Sequence, residues 1–223
     1  MKKSIIVALD EHAHTKFEKV LDQLDPNLCM VKIGSVSFNS LGRESILRAA
    51  DKGFDVFLDL KLHDIPNTVK KSIEGLINLP IKMMTVHTSG GLKMLEESVK
   101  AVKDTNIKIF GVTALTSLAD EDSKKIYRRS TKDQVIAMIE LAKKSSIDGI
   151  VCSPLELSYV KNNSNLITIT PGIRIKDLKD DQTRTMTPKE AIANGSDFLV
   201  IGRPITASGD IQNSLKKIYD SIQ

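Results

Sequence analysis

The stretch "DVFLDLKLHDIPNTV", residues 55–69, opens as a strand and then breaks the rules for one. Val56, Phe57, Leu58, Leu60 and Leu62 make it apolar on both faces, as in a parallel strand covered on two sides. Asp59 and Lys61 nevertheless sit inside it, and Asp64 follows just beyond. A buried charge is costly unless it is paired. Side chains two apart share a strand face. Asp59 and Lys61 therefore point together, while Leu58, Leu60 and Leu62 point toward covering helices. A parallel barrel has a place for such a pair, because its inner face opens into a mouth at the C-terminal strand ends, where active sites lie.

Similar apolar runs recur along the chain: "IIVAL" (5–9), "MVKIG" (30–34), "MMTVHTS" (83–89), "IKIFGVTAL" (107–115), "GIVCS" (149–153), "LITITPGI" (166–173) and "FLVIGRPIT" (198–206). Amphipathic segments lie between them. "FEKVLDQL" puts Phe17, Val20, Leu21 and Leu24 on one helical face, and "QVIAMIELAKKS" (134–145) and "IQNSLKKIYDSI" (211–222) behave alike. "TPKEAIANGSD" predicts a helix with Thr187 at the N-cap, Pro188 at the first helical position and Gly195 near the stop. Eight β/α units without a linker predict a single (β/α)8 TIM barrel domain over residues 1–223. A doubly wound open sheet is the alternative, since periodicity does not count closure.

The charges inside the strands repeat as well. The first strand ends on Asp10, and Lys32 lies inside the second. Adjacent parallel strands would bring Asp10, Lys32, Asp59 and Lys61 to one mouth with alternating sign. Buried ion pairs add little net stability, so a whole set at one barrel end points to chemistry.

Composition narrows the classes. The chain has 223 residues, 41% hydrophobic and 27% charged, as expected of an ordinary soluble globular protein. Aromatics are 4% and Trp is absent, against a base-stacking nucleic-acid binder. The net charge of +4 comes from scattered lysines rather than a basic stripe, so no nucleic-acid footprint is expected. Cys29 and Cys152 read as core residues, with no disulfide or zinc spacing. The first apolar run stops at Asp10, too soon for a signal peptide or membrane span, so a cytoplasmic setting and no membrane partner are expected. The four histidines lack metal-ligand pairing: "EHAH" (11–14) reads as a loop, His63 as structural, and His87 as a core or supporting residue.

"DLKLHDIPNTV" closely resembles the signature of the bacterial-type orotidine 5′-phosphate decarboxylase family. "VALD", "VKIG", "VHTSGG", "GVTALTS", "VCSP", "TPGIR", "DDQTRTMTP" and "IGRPIT" follow in that family's order. D-x-K-x-x-D alone is shared with related sugar-phosphate decarboxylases and synthases; the extension "HDIPNT" and the downstream Gln and Arg segments are specific. Thr88 and Ser89 stand where bacterial relatives more often carry two alanines, a change between small residues.

The resemblance implies a cofactor-free, metal-free conversion of orotidine 5′-phosphate to UMP and CO2, the last step of UMP synthesis. Lys61 matches the lysine that protonates C6, and Asp59 the carboxylate near the departing CO2. Lys32 and Asp64 complete the charged array. Asp64, with Ile65 and Thr68 beside it, would come from the partner subunit of a homodimer with shared active sites. Asp10 matches a ribose-hydroxyl ligand and Thr116 a nucleotide contact. Gln182, Gly202 and Arg203 match a phosphate grip, with Arg174 beside them.

The chemistry is consistent with those roles. Loss of CO2 from C6 leaves an in-plane carbanion that the ring π system cannot delocalise. A fixed ammonium beside C6 stabilises that charge and then protonates it, and flanking carboxylates favour the charged lysine. Two rivals are a magnesium-dependent sugar-phosphate decarboxylase or synthase of the same superfamily and a nucleotide-binding barrel without turnover.

Overall fold

The computed structural model describes residues 3–174 and 185–223. Eight parallel strands follow in order: β1 (Ile5–Leu9), β2 (Cys29–Gly34), β3 (Val56–Leu62), β4 (Ile81–His87), β5 (Lys108–Val112), β6 (Gly149–Val151), β7 (Ile167–Thr170) and β8 (Phe198–Ile201). Each pairs with the next, and β8 returns to β1 with Ile5 opposite Leu199, Ile6 opposite Val200 and Val7 opposite Ile201. The sheet is therefore a closed barrel, which removes the open-sheet alternative.

Strand alternation divides the apolar residues into two layers. Ile6, Met30, Phe57, Met83, Phe110 and Ile169 point inward and form one packed cluster. Phe57 and Phe110 meet edge to face inside the barrel, with ring centroids 6.4 Å apart, a favoured aromatic geometry. Burying each ring contributes about 1.5–3 kcal/mol. This plug closes the barrel below the mouth. The alternate residues, among them Ile5, Val7, Leu9, Val31, Ile33 and Leu58, face outward into the larger core beneath the helices. Leu60 and Leu62 pack against that same core, as the apolar face of β3 predicts.

Helices form where the amphipathic segments lie. The helix His14–Leu21 buries Phe17, Val20 and Leu21; Leu24 is also buried but lies past the helix end. His14 opens this helix, so "EHAH" is a loop only through Ala13. The helix Thr131–Ser145 starts ahead of the apolar run because the Ser130 hydroxyl accepts from the Asp133 amide. In Pro188–Ala193 the predicted cap is present: Thr187 Oγ1 accepts from the Glu190 amide at 3.3 Å, and Glu190 Oε2 from the Thr187 amide at 3.0 Å.

Two runs change character. "MMTVHTS" is strand only to His87, and Thr88–Gly90 is a 3-10 turn. "FLVIGRPIT" is strand only to Ile201, and Arg203–Thr206 is a helical turn. Pro204 cannot donate to a sheet ladder but fits the first turn of a helix. Cys29 and Cys152 are buried and free. Burial, helped by the nearby Asp25 carboxylate, pushes the Cys29 thiol up to about 12. Burial raises the Cys152 thiol as well. Both are core thiols with little thiolate character.

Candidate active site

At the C-terminal ends of the strands lies a cavity of about 320 Å³, within the size range of small-molecule sites. Asp10, Lys32, Asp59 and Lys61 line one side; Thr116, Arg174, Gly202 and Arg203 line the rest. In an eight-strand barrel β3 lies across the axis from β7. The Asp59/Lys61 pair therefore faces the strand ends that carry Arg174 and Arg203.

The charges form an alternating chain. Lys61 Nζ lies 2.8 Å from Asp59 Oδ2, Lys32 Nζ lies 3.6 Å from the same oxygen, and Lys32 Nζ lies 3.4 Å from Asp10 Oδ1. Asp59 is 7% exposed. Its burial favours the neutral acid, but the Lys32 and Lys61 ammoniums, with hydrogen bonds from Lys61 and Thr85, outweigh burial and hold its pKa below the usual carboxylate value. Lys61 keeps 38% of its side chain exposed, so its ammonium touches both the buried carboxylate and the open mouth.

Lys61 reaches Asp59 by a route that simple alternation does not describe. Leu58 pairs with Met84 and Leu62 with Val86, so three β3 residues oppose one residue of β4. The surplus forms a bulge, and Lys61 takes φ +51°. That left-handed conformation costs a residue with a side chain about 1–2 kcal/mol. Bulges re-aim side chains and gather near active sites. Thr85, the β4 residue opposite the bulge, accepts from the Lys61 amide at 2.9 Å and donates to Asp59 Oδ1 at 2.9 Å.

Three supporting residues escaped the sequence reading. Thr85 is the first; its position two before His87 on an inward strand face was the available signal. Gly34 is the second. A Cβ there would come within 2.8 Å of Lys32 Nζ and 3.5 Å of Asp10 Oδ1, so glycine leaves room for the ammonium to lie between Asp10 and Asp59. Ser37 is the third and left no sequence signal. Its buried hydroxyl donates to the Leu9 carbonyl at 2.9 Å and accepts from the Glu11 amide at 2.9 Å, fixing the chain on both sides of Asp10.

His63 and His87 stack with ring centroids 5.2 Å apart, and His87 Nδ1 lies 2.6 Å from Ser89 Oγ. Burial, and then the neighbouring His63 and Lys61, hold the His87 pKa below the usual imidazole value. His87 is half-buried, whereas His63 is exposed and stacks on it from the solvent side. Asp64, Ile65 and Thr68 stand on the exposed rim and do not line the cavity. Asp64 Oδ1 accepts from the Ile65 amide at 2.7 Å; among the described residues it makes no ion pair. Gln182 lies outside the described residues. Among the described residues no group of three or more His, Cys, Asp or Glu side chains gathers as a metal-ligand set.

A sequence model of the "Orotidine 5'-phosphate decarboxylase / HUMPS family" matches residues 3–218. The chain belongs to this family. Among curated members, the orotidine 5′-phosphate decarboxylase of Wolbachia sp. subsp. Brugia malayi is 45% identical over 221 residues, covering 98% of each chain. That of Haemophilus ducreyi is 44% identical over 230 residues, covering all of both. The crystal structure of orotidine 5′-phosphate decarboxylase from Lactobacillus acidophilus superposes with a TM-score of 0.88 at 34% identity, again over the whole of both chains. Family membership gives the mouth its context: the charged row from Asp10 to Lys61 occupies the end of the barrel where this architecture places its chemistry.

Proposed function

We propose that this protein decarboxylates orotidine 5′-phosphate to UMP and CO2 in pyrimidine biosynthesis, with Lys61 as the proton donor to C6. The observation that carries the reading is the Lys61 ammonium, 2.8 Å from a buried carboxylate and open to the cavity, in a chain of this family. The C6–carboxylate bond breaks, CO2 departs, and the electron pair stays on C6. The ammonium lies beside that developing charge and then transfers its proton to C6. The open side of Lys61 lets solvent reprotonate the amine. Asp59 holds the ammonium in place and sets a negative charge near the substrate carboxylate, a repulsion that departure of CO2 relieves.

The remaining cavity suits the nucleotide. Asp10, beside Lys32, serves a ribose hydroxyl, and Thr116 contacts the base or sugar. Arg203 and Arg174 offer forked donors for the phosphate; the family resemblance assigns Gln182 to the same phosphate. A Cβ at Gly202 would meet Ala8 Cβ at 3.5 Å, an ordinary contact; close passage of a phosphate is a reason for glycine there. Phosphate binding far from C6 stabilises an ordered, closed site at the reacting centre.

Asp64, Ile65 and Thr68 fit this reading as contributions to a neighbour's site in a homodimer. Their exposure on the rim supports that, and Ile65, apolar yet 67% exposed, is a natural interface residue. The same reading takes residues 1–223 as one domain acting in the cytoplasm without nucleic-acid or membrane partners. No described helix is long and apolar enough to cross a membrane.

The direct test is the ultraviolet absorbance change of orotidine 5′-phosphate on adding the protein after prolonged EDTA treatment. Conversion to UMP without added metal is expected. Activity lost under EDTA and restored by Mg²⁺ would instead favour sugar-phosphate chemistry.

A second test concerns Gly34. Its backbone, φ −96° and ψ −174°, is extended and accepts alanine. The Lys32 head is flexible and would give way to the new methyl. Gly34→Ala should shift the melting temperature by no more than about 4 °C, the equivalent of roughly 1 kcal/mol. It should lower kcat/KM about tenfold or more by moving Lys32 off Asp59, a charge-assisted contact. Wild-type turnover in the variant would show that Lys32 does not depend on that space.

A further inference from the structure

Thr85 is 1% exposed and has a single hydroxyl proton. The Lys61 amide, 2.9 Å away, can only donate, so the Thr85 proton goes to Asp59 Oδ1, 2.9 Å away. The contact therefore has one polarity. Asp59 accepts on both oxygens, from Thr85 at Oδ1 and from Lys61 Nζ at Oδ2. The Lys61 amide, displaced by the bulge, finds its acceptor in a side chain.

We propose that Thr85 is a positioning residue: its hydroxyl fixes the β3 bulge through the Lys61 amide and orients the Asp59 carboxylate, so that the Lys61 ammonium is presented to the cavity in one direction. The kinetic consequence rests on the decarboxylase reading; the geometry does not. Asp59 faces Lys32 from β2 and Lys61 from its own strand, with Asp10 behind Lys32 and His87 of β4 near Lys61. A substitution at Thr85 leaves all of these in the chain.

Thr85→Val keeps the shape and removes the hydroxyl. The Lys61 amide and Asp59 Oδ1 each lose a partner in a buried place. The expected result is a 10- to 100-fold fall in kcat, the range for a lost hydrogen bond to a charged group. KM and UMP affinity should stay within about threefold, because the phosphate side is untouched. Losing a donor to the ionised form raises the Asp59 pKa, so the acid limb of kcat moves to higher pH. Thr85→Ser keeps the hydroxyl and should restore both kcat and the acid limb. Wild-type kcat and pH profile in Thr85→Val would overturn the proposal, as would a folded Thr85→Ser as impaired as the valine variant. If Thr85→Val does not fold, Thr85→Ala takes its place with the same expectations. If the wild-type protein proves inactive on orotidine 5′-phosphate, the decarboxylase reading fails on its own. Carbon-13 NMR titration of the Asp59 carboxyl then decides: a higher pKa in Thr85→Val supports the positioning role, and an unchanged one overturns it.

Discussion

Lys61→Ala should lower kcat for orotidine 5′-phosphate by about 10⁴-fold or more. Positioned acids contribute about 10²–10⁴, and a preorganised charge at the reacting atom about 10²–10³. Lys61 is asked to do both, and such effects do not add simply. UMP affinity should change far less, within about tenfold, because Arg174 and Arg203, the residues proposed to hold the phosphate, line the other side of the cavity. Stability should also change little. Asp59 loses its partner at 2.8 Å but keeps Lys32 at 3.6 Å and the Thr85 hydroxyl. Lys61→Arg sharpens the test, since a guanidinium keeps the charge but does not give up a proton at neutral pH. It should remain at least about 10²-fold impaired, the lower figure for a lost general acid. Single-turnover kinetics and UMP titration check both variants. An alanine variant within tenfold of wild-type kcat would remove Lys61 from proton delivery.

Asp59 should keep its charge, and its contribution to stability, as pH falls through the ordinary aspartate value. Its folded pKa is depressed, so the carboxylate's contribution is present above the unfolded value and is lost as pH falls through the lower, folded one. His87 acts on stability in the same direction at higher pH. Its folded pKa is lowered, so the unfolded chain takes up a proton first and stability declines as pH drops below the ordinary imidazole value.

Much of this was legible in the chain itself because the physics is local. A charged pair in a strand as apolar as "VFLDLKL" has few explanations, and the outward leucines specified which way it points. Closure was predicted from the count of eight β/α units and not from periodicity, which is the same in an open sheet; β8 meets β1 through contacts between the two ends of the chain. The bulge was hidden for a related reason. Alternation put Asp59 and Lys61 together, and they do meet, but through a left-handed Lys61 that no residue type announces. Thr85 stayed unread because a lone threonine in an apolar strand is ordinary until its neighbours are known. Gly34 became informative only with Lys32 lying over it.

Mixing Lys61→Ala and Asp64→Ala subunits, each nearly inactive alone, should restore about a quarter of wild-type activity. Asp64 touches its own Ile65 amide, on an exposed rim outside the cavity. The carboxylate that its own chain sets against Lys61 is Asp59. If Asp64 serves the neighbour of a twofold dimer, a heterodimer places both lesions in one site. The other site takes Lys61 from one chain and Asp64 from the other and is intact. Random exchange makes half of the dimers mixed, each with one good site of two, which gives about one quarter if the sites act independently. If Asp64 instead worked within its own chain, every site in every mixture would carry a lesion. Activity remaining at the level of the unmixed variants, with exchange confirmed by native mass spectrometry, would therefore sink the shared site. It would leave the chemistry of Lys61 untouched, because the Asp59–Lys61 contact and the Thr85 hydroxyl beneath it are built entirely from one chain.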